Sequence, residues 1–169
     1  MLFRSFTVGE LEQAPAQFQG GAVEAERLPR MHRVGGETGE ADHPSIAVAR
    51  DGTVWMAWQE YRGGRERVLV RPFRRGAWGE AVPVAEGADV FKTAVAEAGD
   101  SRLWVVWAAR ENAGWRLWGR SFDGRNWAPA EKLSPTPGPN FHHKLVADRK
   151  GRLWLVWQGF AAEIGRAHV

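Results

Sequence analysis

The sequence contains no cysteine, which excludes disulfides, zinc–thiolate sites and cysteine nucleophiles and leaves the cellular compartment open. It has one tyrosine against ten tryptophans, an unusual balance among aromatic residues. Its uncharged apolar runs are far shorter than the roughly 18 residues that a membrane-spanning helix requires, so we predict no membrane span. The remaining composition, 44% hydrophobic and 25% charged over 169 residues, is that of a globular protein able to bury a sizeable core.

Runs of like charge are also absent. The net charge is +3, and 19 of the 23 basic residues are arginines scattered between acidic residues along the chain. A polybasic arm would appear as five or six like charges in a row. We therefore predict no nucleic-acid partner. The N-terminus, MLFRSFTVGELEQ, lacks an apolar core and a cleavage site, so no signal peptide is predicted in the sequence as given. Localisation stays open, and a longer natural N-terminus would allow an extracytoplasmic location.

An internal repeat organises the chain. The strings VWMAW at 54–58, LWVVW at 103–107 and LWLVW at 153–157 have first tryptophans that are 49 and then 50 positions apart. Four further pairs match at an offset of 49: Arg67 and Arg116, Arg71 and Arg120, Phe73 and Phe122, Trp78 and Trp127. Upstream, we align 45–49 with 92–96 and 143–147, with small insertions in the turns.

Each repeat predicts four short strands. In the first repeat they lie at 44–49, 53–61, 66–73 and 79–84, separated by turns that contain Asp-Gly and Gly-Gly. The second strand is apolar on both sides, which indicates a sheet buried on both faces. Four-stranded antiparallel units of about 49 residues that bury each other are typical of β-propeller blades. We therefore predict an all-β fold, a fragment of a β-propeller; a β-sandwich would not need the repeat.

The repeat divides the chain into about two and a half blades, an incomplete ring. Blades are predicted at 42–88 and 89–139, and a partial blade of two strands at 140–160. Residues 1–41 are predicted to be an N-terminal segment, a linker with an outer closing strand at 28–34. The end of the tail at 161–169, EIGRAHV, reads like a translated adapter and not like native protein. We expect the natural chain to continue into further blades and attached domains.

The repeat resembles bacterial propellers of the sialidase-like and TolB-like kind. The shared pattern is His-Pro at 43–44, D-G-x-x-W-x-x-W at 51–58, then R-x-F followed by G-x-W or G-x-x-W. The string SFDGRNW at 121–127 is similar to the Asp-box hairpin of sialidases but is one residue short between Asp and Gly. The resemblance covers residues 42–160 and implies the architecture; fold alone does not imply a function.

Polar residues precede the first strand of each repeat. In a propeller these strand ends converge at the mouth of the central channel, and such a rim could bind a sugar, a metal or a peptide. The candidate binding residues are Asp42, His43, Asp89, Lys92, Asn140, His142 and His143. We align Asp42, Asp89 and Asn140 as equivalent positions. The favoured alternative is that these three side chains only hydrogen-bond the adjacent loop backbone. Because neighbours on a strand point to opposite faces, His142 and His143 cannot both join one metal site, and no metal or cofactor is predicted.

The tryptophans divide into two groups. Those of the repeated strings are predicted to be core residues. Trp115 and Trp118 break the repeat, because the first repeat has Glu66 and Leu69 at those places. These two are the candidates for exposed aromatic contact with a ligand such as a sugar.

Catalytic motifs are not found. The sequence has no G-x-S-x-G, P-loop, dinucleotide-binding or H-E-x-x-H motif. The sialidase resemblance would imply an arginine cluster and a tyrosine nucleophile, but Tyr61 lies at the far end of a second strand. Arg71 and Arg120 are expected to pair with acids or stack on Trp118. We therefore predict a non-catalytic binding or scaffolding module that contacts carbohydrate or protein. The alternative is part of a sialidase-like glycoside hydrolase or lyase whose catalytic residues lie in blades beyond this sequence.

Overall fold

A computed structural model describes residues 34–35, 39–87, 89–111, 114–135 and 138–159. Within these ranges the regular elements are eleven strands, and no helix long and apolar enough to cross a bilayer occurs. The strands are β1 (Glu40–Val48), β2 (Val54–Arg62), β3 (Arg65–Arg74), β4 (Ala77–Trp78), β5 (Val82–Gly87), β6 (Val90–Glu97), β7 (Leu103–Glu111), β8 (Gly114–Phe122), β9 (Glu131–Lys132), β10 (Phe141–Ala147) and β11 (Leu153–Gln158).

The strands form three antiparallel sheets. The first has the order β1-β2-β3, with both β4 and β5 paired to β3. The second has the order β6-β7-β8-β9, and the third is the hairpin β10-β11. The predicted all-β, antiparallel character is confirmed. The predictions for residues 1–33 and 160–169 lie outside the described residues.

The predicted strand bounds hold for β2 and β3, each within one residue. The fourth strand of the first repeat was placed too early: β5 is Val82–Gly87, because the chain first makes a tight hairpin in which Ala77–Trp78 returns along β3. The turn of this hairpin has positive φ at Arg75 and Gly76, and the two intervening residues are the count that a tight hairpin requires. The first strand starts earlier than predicted, at Glu40.

Strand register corrects the alignment of the first strands. Ala47, Ala96 and Val146 each pair with the first tryptophan of the neighbouring second strand. The offsets are therefore 49 and 50 here too, with no insertions. Asp42 corresponds to Phe91 and not to Asp89 or Asn140 as expected. A β-bulge lies at the same point of each first strand and therefore shifts none of them relative to the others. The predicted alignment followed the similar strings at 45–49, 92–96 and 143–147, which are not in register.

The core lies between the first and second sheets. Its fully buried members include Ala57, Val68, Val70 and Val105. The tryptophans of the first two strings are buried or half-buried, as predicted. Those of the third string, Trp154 and Trp157, are exposed. Among the described residues the hairpin has no third strand and no sheet on its far side, so nothing covers its apolar face.

Arg71 and Arg120 hold equivalent places, but their partners differ from those expected. The guanidinium carbon of Arg71 lies 5.8 Å from the ring centroid of Trp78, and that of Arg120 lies 5.7 Å from Trp127. Each Nε donates to a backbone carbonyl just beyond its tryptophan, at 2.6 Å in both cases. The two arginines therefore fix the hairpin that follows the third strand, and within the described part of the chain neither stacks on Trp118 or pairs with an acid.

The same two arginines also reach the chain that precedes their sheet. Arg120 Nη1 donates to the carbonyl of Val84 in β5 at 3.3 Å, and Arg71 Nη1 donates to the carbonyl of Val34 at 2.9 Å. Val34 thus occupies, relative to the first sheet, the place that β5 occupies relative to the second. The outer strand predicted at 28–34 includes Val34, and its residues 28–33 lie outside the described residues.

In each sheet a turn joins the first strand to the second, and in the second sheet this turn contains a strained residue. Gly52 and Gly151 have φ of 81° and 78°, and the equivalent Ser101 has φ of 64°. A side chain in the left-handed region costs free energy that glycine avoids. We expect Ser101→Gly to raise the free energy of unfolding by about 0.5–1 kcal/mol, as measured by urea denaturation. Gly52→Ser should lower it by a similar amount; a stabilising effect of Gly52→Ser would contradict this account.

Candidate functional site

The first strands β1, β6 and β10 lie side by side across the three sheets. Hydrogen bonds cross between them: Thr93 Oγ1 donates to the His43 carbonyl at 2.7 Å, and the Val95 amide donates to Ser45 Oγ at 3.1 Å. The three bulges therefore fall next to one another, at the end where each of these strands begins. This is the end at which the mouth of a central channel was predicted from the sequence.

Each bulge holds one basic residue in the left-handed region. His43, Lys92 and His142 have φ of 51°, 55° and 53°. These are equivalent positions, since they are 49 and 50 residues apart. Left-handed φ is uncommon for residues other than glycine, although asparagine, aspartate and histidine adopt it more often than the rest, and strain of this kind concentrates at functional sites. The fold thus presents a row of three basic side chains on adjacent strands.

Aromatic rings fill the space beside this row. Phe91 lies 4.6 Å from His43 and 6.3 Å from Phe141, measured between ring centroids. Trp115 lies 5.9 Å from Phe91 and 5.6 Å from Phe141. Trp115 reaches this place because its amide donates to the Gly138 carbonyl at 2.8 Å, which ties the start of β8 to the segment before β10. We call the following six side chains the rim: His43, Phe91, Lys92, Trp115, Phe141 and His142.

The basic groups of the rim influence one another. Partial burial lowers the pKa of His43; Asp42 opposes this shift, and Lys92 and His142 add to it. Burial also lowers the pKa of Lys92, and the nearby Lys144 contributes. The charged forms of these side chains are thus close enough to repel one another. Asp42 is the acidic side chain that acts on His43.

His143 belongs to the core and not to the rim. It is fully buried, and its Nε2 lies 3.4 Å from the Val106 carbonyl. Burial lowers its pKa to about 4, so the ring is neutral at pH 7. The equivalent Thr93 places its hydroxyl 3.3 Å from the Ala57 carbonyl, which corresponds to that of Val106. Both side chains link a first strand to the second strand of the preceding sheet. His143 Nδ1 has no hydrogen-bond partner among the described atoms.

Asn140 is also structural. Its Nδ2 donates to the Trp115 carbonyl at 2.8 Å, and its Oδ1 accepts from Trp157 Nε1 at 3.1 Å. These two contacts join β8 and β11 and are not the bonds to adjacent loop backbone that were expected; Nδ2 also lies 3.5 Å from the nearby Gly138 carbonyl. Asp42 is exposed at the start of its bulge, and Asp89 is exposed with Oδ2 3.9 Å from Arg110 Nη1. The three side chains therefore do not form one arc.

The two candidate tryptophans lie in different parts of the fold. Trp115 is part of the rim, whereas Trp118 packs against the core with Lys132 Nζ 5.1 Å from its ring centroid. Trp118 and Asp89 line a different groove, between β5 and the second sheet. Trp118 corresponds to the buried Leu69 of the first sheet, so an apolar side chain at this position is expected to pack.

Two rim residues were not predicted, namely Phe91 and Phe141. The signal was present in the sequence, because an aromatic residue precedes the basic residue in both Phe91-Lys92 and Phe141-His142. The predicted alignment of the first strands placed these two phenylalanines at non-equivalent positions. Across the described ranges, no three histidine, aspartate or glutamate side chains are grouped so that they could hold a metal ion.

The chain matches no known family model and no curated protein. Among solved structures it is similar to a protein of unknown function from Dyadobacter fermentans DSM 18053, with a TM-score of 0.53 and 10% sequence identity. The similarity covers 70% of this chain and 46% of that one, so the chain spans less than half the length of this neighbour. At this identity the likeness concerns the fold alone.

Proposed function

We propose that the chain forms part of a β-propeller in which further four-stranded sheets cover both ends of the described stack. Equivalent positions support this proposal. Ile46 in the first sheet is 62% exposed, whereas Val95 in the second is 3% exposed; Val156 in the hairpin is 57% exposed, whereas Val106 in the second sheet is 0% exposed. The middle sheet is buried because it has a neighbour on each side. The outer two have the same apolar residues and one described neighbour each.

The proposed function of this propeller is non-catalytic binding of carbohydrate at the rim. The observation that carries the proposal is the group of three aromatic rings, Phe91, Trp115 and Phe141, beside polar side chains on adjacent strand ends. Ligand sites combine apolar and aromatic walls with a few placed polar groups. The apolar face of a sugar ring fits an aromatic side chain, and its hydroxyls fit the polar groups. A protein ligand would use the same surface.

The test is a glycan array probed with the full chain, followed by calorimetric titration of the glycans retained. We expect binding without release of products. Trp115→Ala should weaken binding by about tenfold, the loss of about 1.4 kcal/mol expected for one aromatic contact. Trp118→Leu is the matched control, because leucine is the equivalent residue in the first sheet, and it should leave binding unchanged.

Two results would contradict the proposal. One is an array on which the chain retains no glycan. The other is release of a monosaccharide that depends on a rim residue, which would favour the glycoside hydrolase or lyase alternative. Equal melting temperatures of the two tryptophan variants would show that loss of binding does not reflect loss of fold.

A further inference from the structure

The polar side chains of the rim are all bases, one lysine and two histidines, whose charged forms a bound anion would favour. His43, Lys92 and His142 occupy the same bulge position on three adjacent strands. None of the ion pairs among the described residues involves these three side chains or the neighbouring Lys144. Elsewhere in the described chain, arginines and acids pair repeatedly, so the lack of pairing is a local property of this end of the first strands.

The nearby acids are engaged elsewhere or act on one base. Asp89 has its carboxylate directed to Arg110, and Asp42 acts on His43 and is not among the charges that act on Lys92. Like charges brought together on partly buried strand ends repel, and burial removes some of the water that would screen them. A negatively charged group placed among them would offset both costs.

On these observations we propose that the ligand of the rim is an anionic glycan, whose carboxylate or sulfate groups contact Lys92 and the two bulge histidines while its sugar rings contact Phe91, Trp115 and Phe141. This inference rests on the proposed carbohydrate function and narrows it to one class of ligand. Because the cations recur on adjacent strands, an oligosaccharide with repeated charges can contact more than one of them.

The experiment compares three probes by calorimetric titration of the full chain. The first is a hyaluronan hexasaccharide, which carries carboxylates. The second is the same hexasaccharide after reduction of its carboxylates to alcohols, which keeps the sugar skeleton and removes the charge. The third is a κ-carrageenan hexasaccharide, which carries sulfates and distinguishes the two sources of negative charge.

We expect at least one charged probe to bind about tenfold or more tightly than the reduced probe, with an affinity that falls as salt is added. Lys92→Gln and His142→Gln should each weaken binding of that charged probe by about fivefold, the effect of about 1 kcal/mol for one partly exposed charge contact. Lys92→Arg should retain binding. Lys150→Gln, which alters an exposed lysine in the turn at the other end of the hairpin, is the control and should leave affinity unchanged.

Several results would overturn the inference. Equal affinity for the charged and reduced hexasaccharides would show that charge is not recognised, while the proposed glycan binding would stand. Binding of a charged probe that neither Lys92→Gln nor His142→Gln changes would place the anion elsewhere. If no probe binds while the array retains neutral glycans, the anionic class is wrong; if the array retains nothing, the proposed function fails with it.

Discussion

Replacing Arg67 by leucine is expected to lower the free energy of unfolding by about 3 kcal/mol or more, since it leaves a buried carboxylate without its partner. Arg67 Nη2 bonds Glu60 Oε2 between β2 and β3, and the Glu60 side chain is only 5% exposed. Removing one member of such a pair is costly because the remaining charge stays out of water. Urea denaturation of the full chain measures the effect.

The repeat supplies matched controls for this prediction. Arg116 is equivalent to Arg67 but pairs with Glu111, which is more exposed and keeps Lys132 as a second partner at 3.2 Å. Arg116→Leu should therefore cost less than Arg67→Leu. The second sheet has Ala109 where the first has Glu60, so Glu60→Ala combined with Arg67→Leu should recover most of the lost stability. A double variant as unstable as Arg67→Leu alone would show that packing, and not the unpaired charge, causes the loss.

Stability is expected to fall by about 3 kcal/mol between pH 7 and pH 4 through His143 alone. The pKa of this buried imidazole is about 4 in the folded chain, against 6.5 as its ordinary value. Between these two pH values the unfolded chain binds the proton and the folded chain does not. The stabilising contribution is therefore complete above about pH 6.5 and is lost as the pH falls toward 4, below which it no longer changes.

His143→Thr isolates this contribution, because threonine is the equivalent residue in β6 and makes the corresponding contact to the preceding sheet. The difference in unfolding free energy between this variant and the parent chain should change with pH over the range between pH 4 and 6.5. His142→Gln, an exposed neighbour, should leave the pH dependence as it is. A constant difference between parent and His143→Thr across this range would contradict the assignment.

Local chemistry was sufficient to predict most of the strands. The Asp-Gly and Gly-Gly turns and the β-forming strings between them specify β2 and β3, since turn conformation and strand propensity depend on a few neighbouring residues. The double-sided apolar pattern of 54–58 and 103–107 likewise predicted burial on both faces. The same pattern at 153–157 is exposed among the described residues, where the hairpin has a neighbouring sheet on one side only.

The candidate site depended on tertiary structure to a much greater degree. The sequence by itself determined that His43, Lys92 and His142 precede or begin a strand, and it marked Trp115 as a departure from the repeat. Only the folded chain decided that the first three share one bulge position, that Phe91 and Phe141 stand beside them, and that Trp118, Asp89 and His143 belong elsewhere. The physical reason is register: one extra residue in a bulge moves every later side chain to the opposite face, and hydrogen bonds between distant strands set where that residue is accommodated.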